Sequence, residues 1–245
     1  MPRFFVDQGS FSDGGKTVTV TGDDAVHISR VLRMKCGDEL ILCDGKGTEY
    51  RARIRETGSS VVCDTLSSGR CGSEPPYRVT VYQSLVKGDR FDTVLQKGTE
   101  LGATDFVPVI TSRCVVTLDE REYGKKLARW QRIAYEASKQ CGRGIIPVVR
   151  EPMRFEDAVK DAAGSSLPLF CYEGEGTLPL TCVTEKCDSP DSVSVFIGPE
   201  GGFSEQEAAR ARDVGMIPTG LGKRILRTET AAPFVLACVS FRYEL

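Results

Sequence analysis

Two rhythms of apolar and polar residues divide this chain. Up to about residue 70 the apolar positions come in short, mostly alternating runs: "KTVTVTG", "DELILCDG", "TEYRARIRE" and "SSVVCDTL". A period of two, rich in Val, Thr and Ile and bounded by Gly, Asp and Ser, predicts strands. "CDGKGTEY" predicts a tight hairpin. One segment departs from the pattern. "DDAVHISRVLRM" predicts a helix, with Asp23 or Asp24 as its cap and Val26, Val31 and Leu32 on its apolar side. A small β-barrel carrying one helix accommodates the whole stretch.

"SSGRCGSEPPY" (67–77) then interrupts every periodicity. Gly, Ser and paired Pro continue neither a helix nor a central strand, so a linker is expected between domains 1–70 and 77–245. Beyond it, strands and helices alternate. "RVTVYQSL", "DFVPVIT", "SLPLFCYE" and "SVSVFIG" read as strands. "RFDTVLQKGTELG" reads as a helix with Phe91, Val94, Leu95 and Leu101 inward and Gly102 just past its end. A long helix through about Cys141 is expected to open on a Thr117–Glu120 capping box. Its stripe of Tyr123, Leu127, Trp130, Ala134, Ala137 and Cys141 steps by four and three, which is one helix face. "SEQEAARARDVG" is boxed by Ser204 and Glu207 and closed by Gly215. "TETAAPFVLACVSFRY" is the last helix, with Pro233 tolerable only near its first turn. This alternation predicts an α/β sheet with ligands at the carboxyl ends of its strands.

Composition adds limits. The 245 residues are 40% hydrophobic and 27% charged, as in ordinary globular chains. No run approaches the roughly 20 apolar residues of a membrane helix. "MPRFFVDQGS" turns polar too soon for a signal peptide, so a cytoplasmic protein without membrane contact is expected. Ten cysteines include no CxxC, and there is one histidine, His27; the thiols read as reduced, small apolar residues and no metal site is expected. The net charge of −2 conceals a basic middle: residues 78–150 hold 13 Lys+Arg against 8 Asp+Glu, whereas 151–245 hold 9 against 15. The basic middle is a solvated helix face or a nucleic-acid surface.

Two loops at strand ends carry the candidate chemistry. The first, "IGPEGG" (197–202), has neither the GxGxxG nor the Walker spacing. Pro199 removes a backbone donor and Glu200 repels a phosphate, so a neutral or cationic ligand fits better. The second, "LGKRILRTETAAP" (221–233), sets Lys223, Arg224 and Arg227 beside Glu229 just before a helix. That combination suits a site that binds a polar partner and positions a proton acceptor.

"MPRFFV", "HISRVLRMKCGDEL", "QSLVKGDRFDTVLQKGTELGATDFVPVITSRC", "RWQRIAYEASKQCGRGIIPVV", "FIGPEGGFSEQE" and "LGKRILRTETA", in this order from Met1 to Ala231, together resemble the RsmE family. The resemblance implies a methyltransferase of the SPOUT superfamily that modifies uracil N3 of one uridine in 16S ribosomal RNA. It implies an α/β domain with a deep trefoil knot, preceded by a PUA-like β-barrel that binds RNA. It also implies a homodimer built on the knotted region, the small ribosomal subunit as partner, and S-adenosylmethionine as cofactor. By motif, the cofactor contacts fall on Ile197, Gly198, Pro199, Glu200 and Gly201, and on Leu221, Gly222, Ile225, Leu226, Arg227 and Thr230. Cys171, Tyr172 and Glu173 stand where the family has its first knot loop. The chain departs little from the pattern; Gly98 stands where relatives often have alanine and is expected to weaken its helix by about 1 kcal/mol.

Methylation of uracil N3 removes an imide proton, which calls for a carboxylate base. The charge left on the carbonyl oxygens calls for a cationic or backbone donor. Arg227 fits the second role. Glu229 and Glu200 are rival bases, Glu200 having a loop-orienting role as its alternative. For RNA, Arg3, Arg30 and Arg33 are available in the first domain, the last two three apart on the expected helix. Lys87, Arg90, Lys97 and Arg143 are available in the second. A non-catalytic RNA binder has no need of the cofactor loops, and a nucleotide- or NAD-dependent enzyme lacks its fingerprint here.

Overall fold

The computed structural model describes residues 1–116 and 120–245, with side chains outside 120–122. The expected Thr117–Glu120 capping box lies outside the described residues. The chain divides into two compact units, and the first is discontinuous: Met1–Glu74 with Ser138–Ile146, against Pro75–Ala137 with Pro147–Leu245.

The first unit contains β1 (Arg3–Phe5), β2 (Phe11–Ser12), β3 (Thr17–Val20), a helix α1 (Gly22–Val26), β4 (Glu39–Cys43), β5 (Thr48–Thr57) and β6 (Val61–Arg70). Among the described residues the sheet order is β1-β4-β5-β6-β3-β2, with β1 parallel to β4 and the other pairs antiparallel. The alternating positions of these strands, together with Ala25 and Ile28, meet in one core around Phe4, Leu40, Leu42 and Ile54. β6 runs through Arg70, four residues into the expected linker, and Cys71 beyond it is buried.

The helix corrects the sequence reading. After α1 it widens into a π turn over His27–Val31, where the Leu32 N–H donates to the His27 carbonyl. The extra residue per turn rotates the face. Ala25 and Ile28 are fully buried, while Val26, Val31 and Leu32 are 46, 66 and 42% exposed. Asp23 and Asp24 occupy the first turn rather than the cap, which is Thr21. Arg33 has φ +53 and ends the helix, so it does not share a helical face with Arg30.

The stretch 138–146 belongs to this unit through a buried ion pair. Glu74 accepts from Arg143 Nη2 at 2.7 Å and from the Gly144 and Ile145 N–H groups at 2.8 and 2.9 Å. Both side chains are at most 3% exposed. Arg143, expected at an RNA surface, is therefore a structural residue. Arg3 is also engaged internally: its guanidinium holds Glu49 at 3.0 Å and Cys43 Sγ at 3.0 Å, with 14% of the side chain exposed.

The second unit is an open parallel α/β sheet. Its elements are β7 (Arg78–Ser84), α2 (Arg90–Glu100), β8 (Asp105–Ile110), α3 (Glu120–Cys141), β9 (Val148–Val149), β10 (Met153–Arg154), α4 (Phe155–Ala163), β11 (Leu167–Cys171), β12 (Leu178–Pro179), α5 (Leu180–Thr184), β13 (Ser192–Ile197), α6 (Glu205–Asp213), β14 (Ile217–Gly220) and α7 (Thr228–Tyr243). Among the described residues the order is β10-β8-β7-β13-β11-β14-β12, with β9 beside β8. Alternate strand residues face opposite layers. Val79, Val81, Val193 and Val195 pack with α2, α3, α5 and α7, while Tyr82, Phe170 and Phe196 pack with α4 and α6. α4 was not anticipated, although Phe155, Ala158, Val159 and Ala162 bury one helical face. Both halves of the Ser204–Glu207 capping box form. Pro233 lies in the second turn of α7 rather than the first, leaving the Glu229 carbonyl without its usual helical donor. β14 is two strands from β13, yet α7, which follows it, packs over β13 and α2. Among the described residues no helix is long and apolar enough to cross a membrane.

Candidate active site

The carboxyl ends of β11, β13 and β14 open into a cleft of about 960 Å³. Its walls are three loops, 171–174, 197–203 and 220–227, and the first turn of α7. Every residue that the resemblance assigned to the cofactor lines it except Thr230. One residue of helix turns by about 100°, so Thr228 and Ala231 face the cleft and Thr230 points outward.

Loop 197–203 is held from both sides. The Pro199 carbonyl accepts the Gly202 N–H at 2.9 Å, closing a turn. A Cβ on Gly198 would come within 3.2 Å of the Phe203 ring, so the backbone approaches as closely as glycine allows. Glu200 accepts from the Lys87 N–H at 3.2 Å and from Arg90 Nη1 at 2.5 Å. On the other flank Arg113 donates to the Gly201 carbonyl at 2.9 Å. Glu207, beyond its capping role, accepts the Ser112 N–H at 2.8 Å. Burial pulls the Glu200 carboxyl upward, but its own backbone N–H, that of Lys87 and the Arg90 guanidinium together hold it below the ordinary carboxylate value. Such a group is a weak proton acceptor and a good brace.

Glu229 is placed differently. It stands in the first turn of α7 with its side chain 20% exposed, and Arg90 Nε lies 3.8 Å from Oε1. Its Oε2 is buried without a hydrogen-bond partner among the described residues. Glu229 lines the cleft, and a carboxylate there that is not saturated by donors can accept a proton from a ligand. Arg227 precedes it as the helix cap residue, exposed, its guanidinium without a hydrogen bond or ion pair to a described residue. Cys171 in the opposite wall is partly buried, and that desolvation pushes its thiol up to about 12 and keeps it neutral.

Arg90, expected among RNA contacts, instead lines this cleft and bridges the two carboxylates. Ile225 lines the rim with its side chain 81% exposed. The remaining cations lie elsewhere. Lys97 pairs with Glu100 at 2.9 Å, whereas Lys87, Arg30 and Arg33 are exposed with no partner for their charge among the described residues. Sequence reasoning missed Gln83, Arg113 and Thr228. A lone polar residue ending an apolar strand, as in "VYQSL", was the only signal for Gln83. Among the described residues no cluster of His, Cys, Asp or Glu has metal-binding geometry.

Comparison with known proteins gives this geometry a family. The RNA methyltransferase domain family matches residues 73–240, and the RNA methyltransferase PUA domain family matches residues 20–64. The ribosomal RNA small subunit methyltransferase E of Bacillus subtilis (strain 168) is 32% identical over 251 residues, covering 100% of this chain and 98% of that protein. The protein of the same name from Synechocystis sp. is 35% identical over 231 residues, covering 93% and 74%. The crystal structure of ribosomal RNA small subunit methyltransferase E from Neisseria gonorrhoeae bound to S-adenosyl methionine superposes with a TM-score of 0.83 at 32% identity, covering 98% and 97%. With its cleft at the strand ends and its full-length likeness to these proteins, the chain belongs to the ribosomal RNA small subunit methyltransferase E family.

Proposed function

We propose that this protein transfers a methyl group from S-adenosylmethionine to N3 of one uridine in the 16S ribosomal RNA of the small subunit, in the cytoplasm. The observation that carries the reading is the pairing, at one cleft, of the Glu229 carboxylate, one of whose oxygens makes no hydrogen bond among the described residues, with the uncommitted Arg227 guanidinium.

The cleft fits the cofactor on this chain's own features. Its volume suits a nucleoside-sized molecule. The turn at Pro199 and Glu200 suits a cation rather than a phosphate, and the lining sets Glu173 and Glu229 beside the cations Arg113, Lys223, Arg224 and Arg227, so both signs are available to a charged cofactor and a polar base. Loops 197–203 and 220–227 would hold it largely by backbone. When bound, S-adenosylmethionine supplies an electrophilic methyl group on a sulfonium. Glu229 would take the N3 proton of the uracil; Arg227 would compensate the charge that spreads onto the carbonyl oxygens; the nitrogen lone pair would form the new N–CH₃ bond as the S–CH₃ bond breaks, its electron pair remaining on sulfur as a neutral thioether. Glu200 braces the loop. Orientation by these fixed elements accounts for much of the rate.

The target base must leave its stack to reach the cleft. Of the cations expected at the RNA, Lys87, Arg30 and Arg33 are free among the described residues to hold phosphates, and the exposed Val26, Val31 and Leu32 lie beside the last two in sequence. The chain acts as a homodimer: the outer face of α7 exposes Phe234, Ala237 and Phe241, an apolar row with no partner among the described residues. The packing of α7 over β13 supports a C-terminal segment threaded through a knot.

The test is transfer of labelled methyl from S-adenosylmethionine to small subunits lacking the modification, with mass mapping of the modified uridine. Wild-type protein should label one uridine at N3, and Arg227→Ala should bind the cofactor yet transfer at least about a hundredfold more slowly. Absence of labelling by folded wild type refutes the reading.

A further inference from the structure

Three elements converge behind the cleft: the end of β7, the loop after β13 and the start of α7. Their junction is a chain of buried hydrogen bonds. Gln83, fully buried and in register beside Ile197, donates from Nε2 to Thr228 Oγ1 at 2.8 Å and to the Ser84 carbonyl at 3.1 Å. Thr228 Oγ1 in turn donates to the Gly198 carbonyl at 2.7 Å. One hydroxyl thus accepts from a strand and donates to the loop, and both of its neighbours along the chain, Arg227 and Glu229, line the cleft.

The arrangement carries a cost that core packing does not explain. Gln83 Oε1 and Ser84 Oγ are buried with no hydrogen-bond partner among the described residues. Buried polar groups left unmatched are destabilising, and an apolar side chain of similar volume would remove the penalty at Gln83. The position retains an amide, and the amide's donor is directed at Thr228.

We infer that Gln83 and Thr228 form a latch that sets the position of the Gly198 loop relative to the α7 turn bearing Arg227 and Glu229, making them positioning residues for both cofactor binding and turnover. The inference rests on the function proposed above. Gln83 touches neither ligand; it acts through Thr228. The latch fixes a carbonyl of one wall and the first turn of another with a single hydroxyl, so losing it lets two walls of the cleft drift independently. A drift of about 1 Å is enough to cost about a hundredfold in rate. Arg30 and Arg33 stand in the first unit and the Lys87 side chain stands beyond the end of β7, none of them on the Gly198 loop or the α7 turn, so affinity for the subunit is spared.

The experiment compares wild type, Gln83→Leu, Thr228→Val and Thr228→Ser. It measures the dissociation constant for S-adenosylmethionine by calorimetry, and kcat and KM for small subunits at saturating cofactor. Thr228→Val and Gln83→Leu should each weaken cofactor binding about tenfold and lower kcat by about tenfold or more, with the subunit KM within about threefold of wild type. Thr228→Ser, which keeps the hydroxyl, should restore both. Wild-type values in Thr228→Val, or a loss in Thr228→Ser equal to that in Thr228→Val, would overturn the latch. So would a loss confined to the subunit KM. If Gln83→Leu fails to fold, the Thr228 pair decides alone. A wild type that binds cofactor but labels no subunit defeats the proposed function instead, and the cofactor dissociation constants still test the latch.

Discussion

Glu200 and Glu229 look interchangeable as letters in the chain, and their surroundings separate them. Glu200 is saturated by the Lys87 N–H and Arg90, while Glu229 keeps one oxygen idle. Glu229→Gln should therefore lower kcat by roughly 10²–10⁴ with little change in cofactor affinity. Glu200→Gln should leave kcat within about threefold, and Glu200→Ala should weaken cofactor binding about tenfold by releasing the loop. Steady-state kinetics with calorimetry checks all three; a larger kcat loss in Glu200→Gln than in Glu229→Gln would exchange the roles. The brace also has a pH signature. Because the folded Glu200 carboxyl titrates below its reference value of 4.5, its stabilisation is complete above about that pH and is lost as pH falls through the lowered value. Cofactor affinity in Glu200→Ala and wild type should hence converge only in acid, and a gap that closed near neutral pH would contradict the assignment. The two loops that line the cleft were legible in the sequence because glycines and charges crowd a strand end. The choice between the carboxylates was not, since it depends on which donors the fold brings to each.

At the scale of elements, Gly98 reverses its sequence reading. Helix propensity alone makes it a weak point of α2 that alanine would strengthen by about 1 kcal/mol. In the fold a Cβ there would lie 2.7 Å from Phe106, whose side chain is fully buried beneath it. Overpacking of this kind costs about 1–3 kcal/mol, which outweighs the propensity gain. Gly98→Ala should lower the denaturation midpoint, and an increase would show that Phe106 has room to move. The same lesson applies to the first unit's helix. Counting at 3.6 residues per turn put Val26, Val31 and Leu32 inward; Val26, in α1, is exposed beside the buried Ala25, and the π turn that follows carries Val31 and Leu32 outward. Hydrophobic pattern predicts that an element exists and which kind it is. Its facing depends on hydrogen-bond steps that leave no mark in composition. α4 shows the converse: its buried face was in the sequence at helical spacing, but the short strand and Pro152 before it concealed the start.

For the whole molecule, two features extend beyond any one element. The apolar row on α7 bears Phe241 at 74% exposure, a large penalty in water for a side chain of that size. Phe241→Asp should shift the protein from dimer to monomer in sedimentation and reduce methyl transfer. A variant that sediments like wild type would remove this face from the interface. The alternation of strands and helices made the second unit's class legible, whereas the return of Ser138–Ile146 to the first unit was not, because no local pattern encodes a contact between Glu74 and Arg143. That return has a consequence for handling the molecule. A protease that cuts once between Glu74 and Tyr77 severs the polypeptide but not the unit, since one fragment keeps the sheet and Glu74 while the other keeps Arg143. Two bands should appear on a denaturing gel and one species on a native column, so the module behaves as a two-stranded splice that a single cleavage nicks without releasing.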